Sequence, residues 1–173
     1  MKNKAHLRYW ISFGLLFSFL LSLAGSFFPY QSTAQTLLFK LDGLCAVCAF
    51  ACFAAKTATE GFDIASAGFT MLAISQGLFL AQIDQPGHWN FDSAVTAVFF
   101  LVPSFIMVSY YENFPRWLHV TGMLSTIPFI VLAVTYYLSG HHLLPAMMNI
   151  VYLIYQAVTL CWAYYAWKLK VKK

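Results

Sequence analysis

Residues Thr36–Ala55 read TLLFKLDGLCAVCAFACFAA, and the only charged residues in this run of twenty are Lys40 and Asp42. A helix of about 20 residues rises about 30 Å, which matches the thickness of the hydrocarbon core of a bilayer. The run therefore has the length and the polarity of a transmembrane helix. The rest of the chain repeats the same pattern.

Five further stretches of similar length and polarity surround this run, and short segments with Pro, Gly or charged residues separate them. The six predicted helices are Tyr9–Phe28, Thr36–Ala55, Phe62–Ile83, Phe91–Tyr111, Trp117–Leu138 and Leu144–Trp167. We predict an all-α fold, a polytopic transmembrane bundle of six helices that forms one domain over residues 1–173. The first helix is interpreted as a retained anchor, because its apolar run exceeds the roughly 7–15 residues of a signal-peptide core.

The overall composition also indicates a membrane protein. The chain is 61% hydrophobic and 9% charged, whereas a soluble domain is about 25% charged. So few charges would leave large apolar patches in water, so the predicted partner of the surface is the lipid bilayer. The net charge of +4 does not indicate a nucleic-acid partner, because the basic residues cluster at the two ends of the chain, next to apolar spans.

The distribution of basic residues predicts the orientation. With the amino terminus in the cytoplasm, nine of the ten Lys and Arg residues lie on the inner side: Lys2, Lys4, Arg8, Lys56, Arg116, Lys168, Lys170, Lys172 and Lys173. Lys40 is the exception, near the outer end of the second helix. Because cytoplasmic segments are enriched in Lys and Arg, we predict an N-in, C-in multi-pass protein of the cell membrane, in a bacterial inner membrane.

Small residues recur at every fourth position in two helices, a pattern that lets helices approach closely in lipid. They are Gly14, Ser18, Ser22 and Ser26 in the first helix and Ala73, Gly77 and Ala81 in the third. We predict that both sets face a neighbouring helix. We also expect local kinks at Pro103 and Pro128, because proline lacks the backbone donor that a helix requires. The hydroxyls of Ser104, Ser125 and Thr126 lie close enough to help satisfy the backbone there.

The candidate functional site is a set of polar residues in the outer half of the membrane. They are Lys40 and Asp42 on the second helix, Gln76 on the third, and Asn149, Tyr152 and Gln156 on one face of the sixth. An ionisable residue within a span is costly and marks a candidate functional site. We predict a ligand-binding pocket in which Asp42 binds a polar group, with Lys40 or Asn149 as its partner. The simpler alternative is that Lys40 and Asp42 only reach the outer headgroups.

Two other sets of residues give weaker hypotheses. Asp84, His88 and Asp92 in one outer loop and His141 and His142 in another carry the side-chain types that bind zinc, but their spacing matches no known ligand signature, so no metal is assigned. Cys45 and Cys48 form a Cys-x-x-Cys run within a helix, where cysteine is also a common packing residue. We predict no cofactor, and no catalytic residue is assigned.

Three functions remain open from the sequence. The leading hypothesis is a non-enzymatic membrane protein that binds or transports a small molecule or lipid through an outward-facing intramembrane polar pocket. The first alternative is an accessory subunit or an immunity-type interaction protein, with a membrane protein or a second copy of the chain as partner. The second alternative is a metal-dependent membrane enzyme that uses the outer His and Asp residues.

Overall fold

The computed structural model describes the backbone of residues 3–85, 88–89, 91–139 and 144–168, and the side chains of residues 6–83, 95–138 and 150–168. The helices in this part of the chain are α1 (Asn3–Gly25), α2 (Thr33–Thr59), α3 (Asp63–Gln82), α4 (Phe91–Val108), α5 (Arg116–Leu124), α6 (Thr126–Ser139) and α7 (Leu144–Lys168). Two short strands, β1 (Ile83–Gln85) and β2 (His88–Trp89), pair antiparallel in the segment between α3 and α4, where the sequence predicted only a loop.

The predicted transmembrane helix bundle is confirmed. Within the described residues, α1, α2, α3, the α5–α6 pair and α7 are each long and apolar enough to cross a bilayer, and α4 contributes a shorter apolar segment. The fifth predicted helix, Trp117–Leu138, is divided in two at Ser125. The chain is therefore a multi-pass membrane protein with six spans, of which one is broken.

The break between α5 and α6 follows from Pro128. This residue has no N–H to donate to the carbonyl of Leu124, and α5 ends at Leu124. Hydroxyls hold the chain at the break, because Ser125 Oγ donates to the Thr121 carbonyl at 2.7 Å and Thr126 Oγ1 donates to the Met123 carbonyl at 2.7 Å.

Pro103 has a milder effect than Pro128. It lies inside the continuous helix α4. The Ser104 hydroxyl donates to the Phe100 carbonyl, one residue beyond the Phe99 carbonyl that loses its donor at Pro103. The side chains next to both prolines therefore bind nearby backbone carbonyls.

Several predicted helix boundaries were wrong by three to six residues. Helix α1 begins at Asn3 rather than Tyr9, α2 ends at Thr59 rather than Ala55, and α4 ends at Val108 rather than Tyr111. Helix α1 ends at Gly25 rather than Phe28, since the residue before Pro29 is disfavoured in helical geometry. Helix α2 begins at Thr33 rather than Thr36, because the Ser32 hydroxyl accepts a hydrogen bond from the Gln35 N–H and caps the helix.

The six spans pack in a closed ring in the order α1, α2, α3, α4, α6, α7. The rings of Tyr9 and Trp167 lie 5.2 Å apart, edge to face, so the start of α1 lies beside the end of α7. The start of α1 and the end of α7 therefore lie at the same end of the bundle, as six spans require. We call this the inner end, after the orientation that the basic residues predict, and the opposite end the outer end.

The prediction for the small residues of α1 is confirmed for Gly14, Ser18 and Ser22, whereas Ser26 is exposed and lies beyond the end of the helix. A Cβ atom at Gly14 would lie 2.9 Å from Cβ of Ala49 on α2, and Ser18 and Ser22 are buried. Helices α1 and α2 are therefore in close contact along this row of residues.

The prediction for the small residues of α3 was wrong for Gly77 and Ala81, although Ala73 packs against the core. A Cβ at Gly77 would meet nothing within 4 Å, and Ala81 is exposed. Helix α3 instead packs on α4 through Gly68, where a Cβ would lie 2.9 Å from the Val108 backbone nitrogen. A four-residue spacing shows which residues share a face but not which face meets a neighbour.

Aromatic side chains fill the inner half of the bundle. The rings of Phe53 and Phe69 stack at 3.9 Å, and Trp162 contacts Phe69 and Phe105 at 5.8 and 5.2 Å. All four side chains are fully buried, as is Phe50. We call these five residues the aromatic cluster.

Candidate functional site

Asp42 lies well inside the membrane-spanning part of α2. At about 1.5 Å per residue it is about 14 Å from the outer end of the helix at Thr33. Its side chain is only 4% exposed. The face that it shares with Ala49 and Lys56 is turned inward, because those two residues are also buried.

Two neutral hydroxyls bind the Asp42 carboxyl group. Ser18 Oγ on α1 donates to Oδ1, and the Tyr152 hydroxyl on α7 donates to Oδ2. These hydrogen bonds join three helices at one point. An ionised carboxyl group accepts about four hydrogen bonds, so two donors leave it with unused acceptor capacity.

A cavity of about 450 Å³ lies beside this carboxyl group. It is bounded by α2, α3 and α7 and by the segment between α1 and α2. Its polar lining residues are Ser26, Gln35, Asp42, Gln76 and Gln82, and its aromatic ones are Phe28, Tyr30, Phe39, Phe79 and Tyr152. The volume falls in the range of roughly 300–1,000 Å³ that is typical of small-molecule sites. The mixture of apolar walls with a few polar groups is also typical of such sites.

The structure brings together three of the six residues that the sequence assigned to the pocket. Asp42, Gln76 and Tyr152 all line the cavity. Lys40 is half-buried and is not among the lining residues. The Asn149 side chain lies outside the described residues.

Gln156 is buried one turn further inward than Tyr152 on α7. Neither its amide oxygen nor its amide nitrogen has a hydrogen-bond partner among the described residues. It does not belong to the cavity lining. The pocket is thus centred on the contact between Asp42 and Tyr152, and Gln156 lies beneath it.

Sequence reasoning did not assign Ser18, Ser26, Gln35 or Gln82 to the site. Ser18 and Gln35 were missed for different reasons. Ser18 was assigned only to helix packing, although a hydroxyl on that face is also a donor to a carboxylate. Gln35 was placed in a loop. The run Ser32-Thr33-Ala34-Gln35 fits the capping-box pattern and would have placed Gln35 in the first turn of α2. Its side-chain oxygen accepts a hydrogen bond from the Gln31 N–H at 2.6 Å.

Tyr30 adds a hydroxyl at the outer mouth of the cavity, in the loop before α2. Partial burial raises the pKa of this phenol above its usual value, against a smaller opposing effect of a hydrogen bond with Gln31. The group therefore stays protonated and neutral at physiological pH. It can contribute a hydrogen bond to a ligand, but no charge.

A second buried charge lies at the inner end. Lys56 Nζ is 2.7 Å from Glu60 Oε1 and 2.9 Å from the Tyr111 hydroxyl, which donates to Glu60 Oε2 at 2.6 Å. These three groups satisfy one another. They connect the end of α2 to the segment between α4 and α5, and we call them the inner polar cluster.

The weaker site hypotheses receive no support from the described residues. The side chains of His88, His141, His142, Asp84 and Asp92 lie outside them, and the side chains that are described include no group of three or more potential metal ligands. Cys45, Cys48 and Cys52 are free thiols, of which Cys48 is exposed and the other two are half-buried.

Comparison of the chain with protein-family models, with curated protein sequences and with solved structures found no match. The functional assignment therefore rests on the geometry of the site. Its central features are the cavity, the buried carboxyl group on its wall and the hydroxyls that hold that group.

Proposed function

We propose that this membrane protein binds a small molecule or a lipid in the cavity around Asp42. The observation that supports the proposal is a volume of about 450 Å³ next to a buried carboxyl group within the span. An aspartate near the centre of a membrane helix costs about 2.5–3.5 kcal/mol relative to apolar residues on insertion scales. A bundle that used this position only for packing would be more stable with an apolar residue.

The direction of access also supports a binding site that faces outward. The loop residues Ser26, Phe28 and Tyr30 form one side of the cavity at the outer end. The aromatic cluster fills the bundle on the inner side. A ligand would therefore enter from the outer side, and transport would require a second arrangement in which the aromatic cluster opens. In the proposed setting, a bacterial inner membrane, that side is the periplasmic one.

The proposal can be tested by native mass spectrometry of the protein after gentle extraction from its own membrane. We expect a bound small molecule or lipid in the wild type and in Asp63→Asn, and its loss in Asp42→Asn. Asp63 is a matched control, since it is an exposed aspartate in the first turn of α3. Equal occupancy in wild type and Asp42→Asn would contradict the proposal.

The same sample distinguishes the two alternative functions. A protein partner that remains bound to both wild type and Asp42→Asn, with no small molecule, would indicate an accessory subunit or an interaction protein. Stoichiometric zinc that is lost in His88→Ala or His141→Ala would indicate a metal-dependent enzyme.

A further inference from the structure

We infer that the site is selective for a cation, namely an ammonium group carried on an apolar body, with the ammonium against Asp42. This inference rests on the proposed function, since it specifies the ligand of the same cavity. Three features of the cavity support it: its charge, its aromatic walls and its apolar side.

The charge of the cavity favours a positive ligand. Among the described residues that line it, Asp42 is the only one with a charged side chain. Its two hydrogen-bond donors, Ser18 and Tyr152, are neutral hydroxyls, so they stabilise the carboxylate without cancelling its charge. In the low dielectric of a membrane protein, an unneutralised carboxylate attracts a cation strongly and repels an anion.

The aromatic residues reinforce this preference. Phe39 and Tyr152 both line the cavity, with ring centroids 6.1 Å apart and planes inclined by 64°. They form a corner beside the carboxyl group that Tyr152 binds. Aromatic ring faces attract ammonium groups, and cages of such rings recognise amines and quaternary ammonium ligands. The amide oxygens of Gln76 and Gln82 on the same lining can accept hydrogen bonds from an ammonium N–H.

The remaining walls suit an apolar body. Leu80, Ile83 and Leu153 line the cavity as well, and Leu153 is 67% exposed on the surface of α7. An apolar group that leaves the cavity past Leu153 would reach the hydrocarbon of the bilayer. The ligand chemistry is therefore an amphiphilic ammonium compound, whose source is either a free amine or a lipid with an ammonium headgroup.

A matched pair of probes tests the charge requirement. Calorimetric titration of the purified protein in detergent compares 4-phenylbutylamine, which is protonated at pH 7, with 4-phenylbutanol, which has nearly the same shape and no charge. We expect the amine to bind at least ten times more tightly than the alcohol. Asp42→Asn should remove this difference and Asp63→Asn should retain it.

A second variant is needed because a general loss of structure in Asp42→Asn would also remove binding. Phe39→Leu keeps the carboxylate but removes an aromatic face, and we expect amine binding to weaken three- to tenfold. Alcohol binding should change by less than twofold. If Phe39→Leu weakens both probes equally, the aromatic corner has no part in recognising the cation and the inference is overturned.

The source of the ligand is tested in nanodiscs of phosphatidylethanolamine or phosphatidylglycerol, only the first of which has an ammonium headgroup. Retention of phosphatidylethanolamine alone, with its displacement by 4-phenylbutylamine, indicates a lipid ligand. Binding of the amine without lipid retention indicates a free amine.

Failure of the inference is distinguishable from failure of the proposed function. Equal binding of the amine and the alcohol overturns the cation inference but leaves a binding cavity. If neither probe binds and neither lipid is retained, the proposed function fails as well.

Discussion

The outer and inner halves of the bundle each bury a charge, but they accommodate it differently. In the inner half, the Lys56 ammonium meets the Glu60 carboxylate and the Tyr111 hydroxyl, and aromatic side chains fill the adjoining space. In the outer half, the hydrogen bonds of the Asp42 carboxyl group within the described residues come from two neutral hydroxyls, and the group lies beside a cavity of about 450 Å³.

This difference indicates that Lys56 has a structural role and that Asp42 is a candidate binding residue. The inner polar cluster balances its own charges and fixes the end of α2 to the segment before α5, so it needs no ligand. Asp42 has acceptor capacity that its two hydroxyl donors leave unused, and open space is available next to it. Burial alone would have marked both positions as functional, whereas the adjoining volume distinguishes them.

The largest expected effect on stability comes from substitutions in α3, because this helix is tightly packed in the inner half and open in the outer half. Gly68→Leu should lower the free energy of unfolding by about 3 kcal/mol or more, because its side chain would meet the backbone of α4. Gly77→Leu should change it by less than about 0.5 kcal/mol, since a Cβ at that position would meet nothing within 4 Å beyond its own stretch of helix. Denaturation in mixed micelles measures both. Equal losses would contradict the different packing of the two halves.

A smaller effect is expected from the inner polar cluster. Glu60→Ala leaves the Lys56 ammonium, 8% exposed, with only the Tyr111 hydroxyl. We expect a loss of about 2 kcal/mol, less than the roughly 3–5 kcal/mol of fully buried pairs, because Glu60 is 32% exposed. Adding Lys56→Met should restore at least half of this loss, since it removes the unpaired charge. A double variant as unstable as Glu60→Ala would show that the charge of Lys56 is not the cause.

The smallest effect concerns two neighbouring tyrosines of the outer half. Tyr152→Phe removes a hydrogen bond to Asp42 and should cost about 1 kcal/mol, a typical value for hydrogen bonds between membrane helices. Tyr155→Phe should be neutral or slightly stabilising, because the Tyr155 hydroxyl is buried without a hydrogen-bond partner among the described residues. The same denaturation assay compares them. A larger loss in Tyr155→Phe would show that a bound water or ligand satisfies that hydroxyl.

Part of the site was predictable because each residue carries its own signal. Asp42 is conspicuous as a charge within an apolar run, and Gln76 and Tyr152 are polar residues at similar depth in other spans. The contribution of Ser18 was not predictable in the same way. A serine on a small-residue ridge serves close packing and hydrogen bonding equally well, and only the register of α1 against α2 places it at Asp42.

The fold, like the site, has features that were predictable from the sequence and features that were not. The sequence alone determined the membrane environment, the number of spans and their approximate positions, because these follow from local hydrophobicity and from the thickness of a bilayer. It also showed where a span could break, since the missing N–H of Pro128 is a property of one residue, but not that α4 would stay continuous at Pro103. Helix ends at Phe28 and Thr36 were misplaced because caps and turns depend on a few local contacts.

Only the tertiary structure decided which faces meet and where space remains. The open side of Gly77, the close contact at Gly68 and the pairing of Asp42 with Ser18 and Tyr152 depend on how each helix is rotated about its axis. That rotation is set by the packing of all the helices of the ring together. No local pattern specifies it, because lipid is as apolar as the side chains that it contacts, and hydrophobicity therefore does not show which face is turned inward.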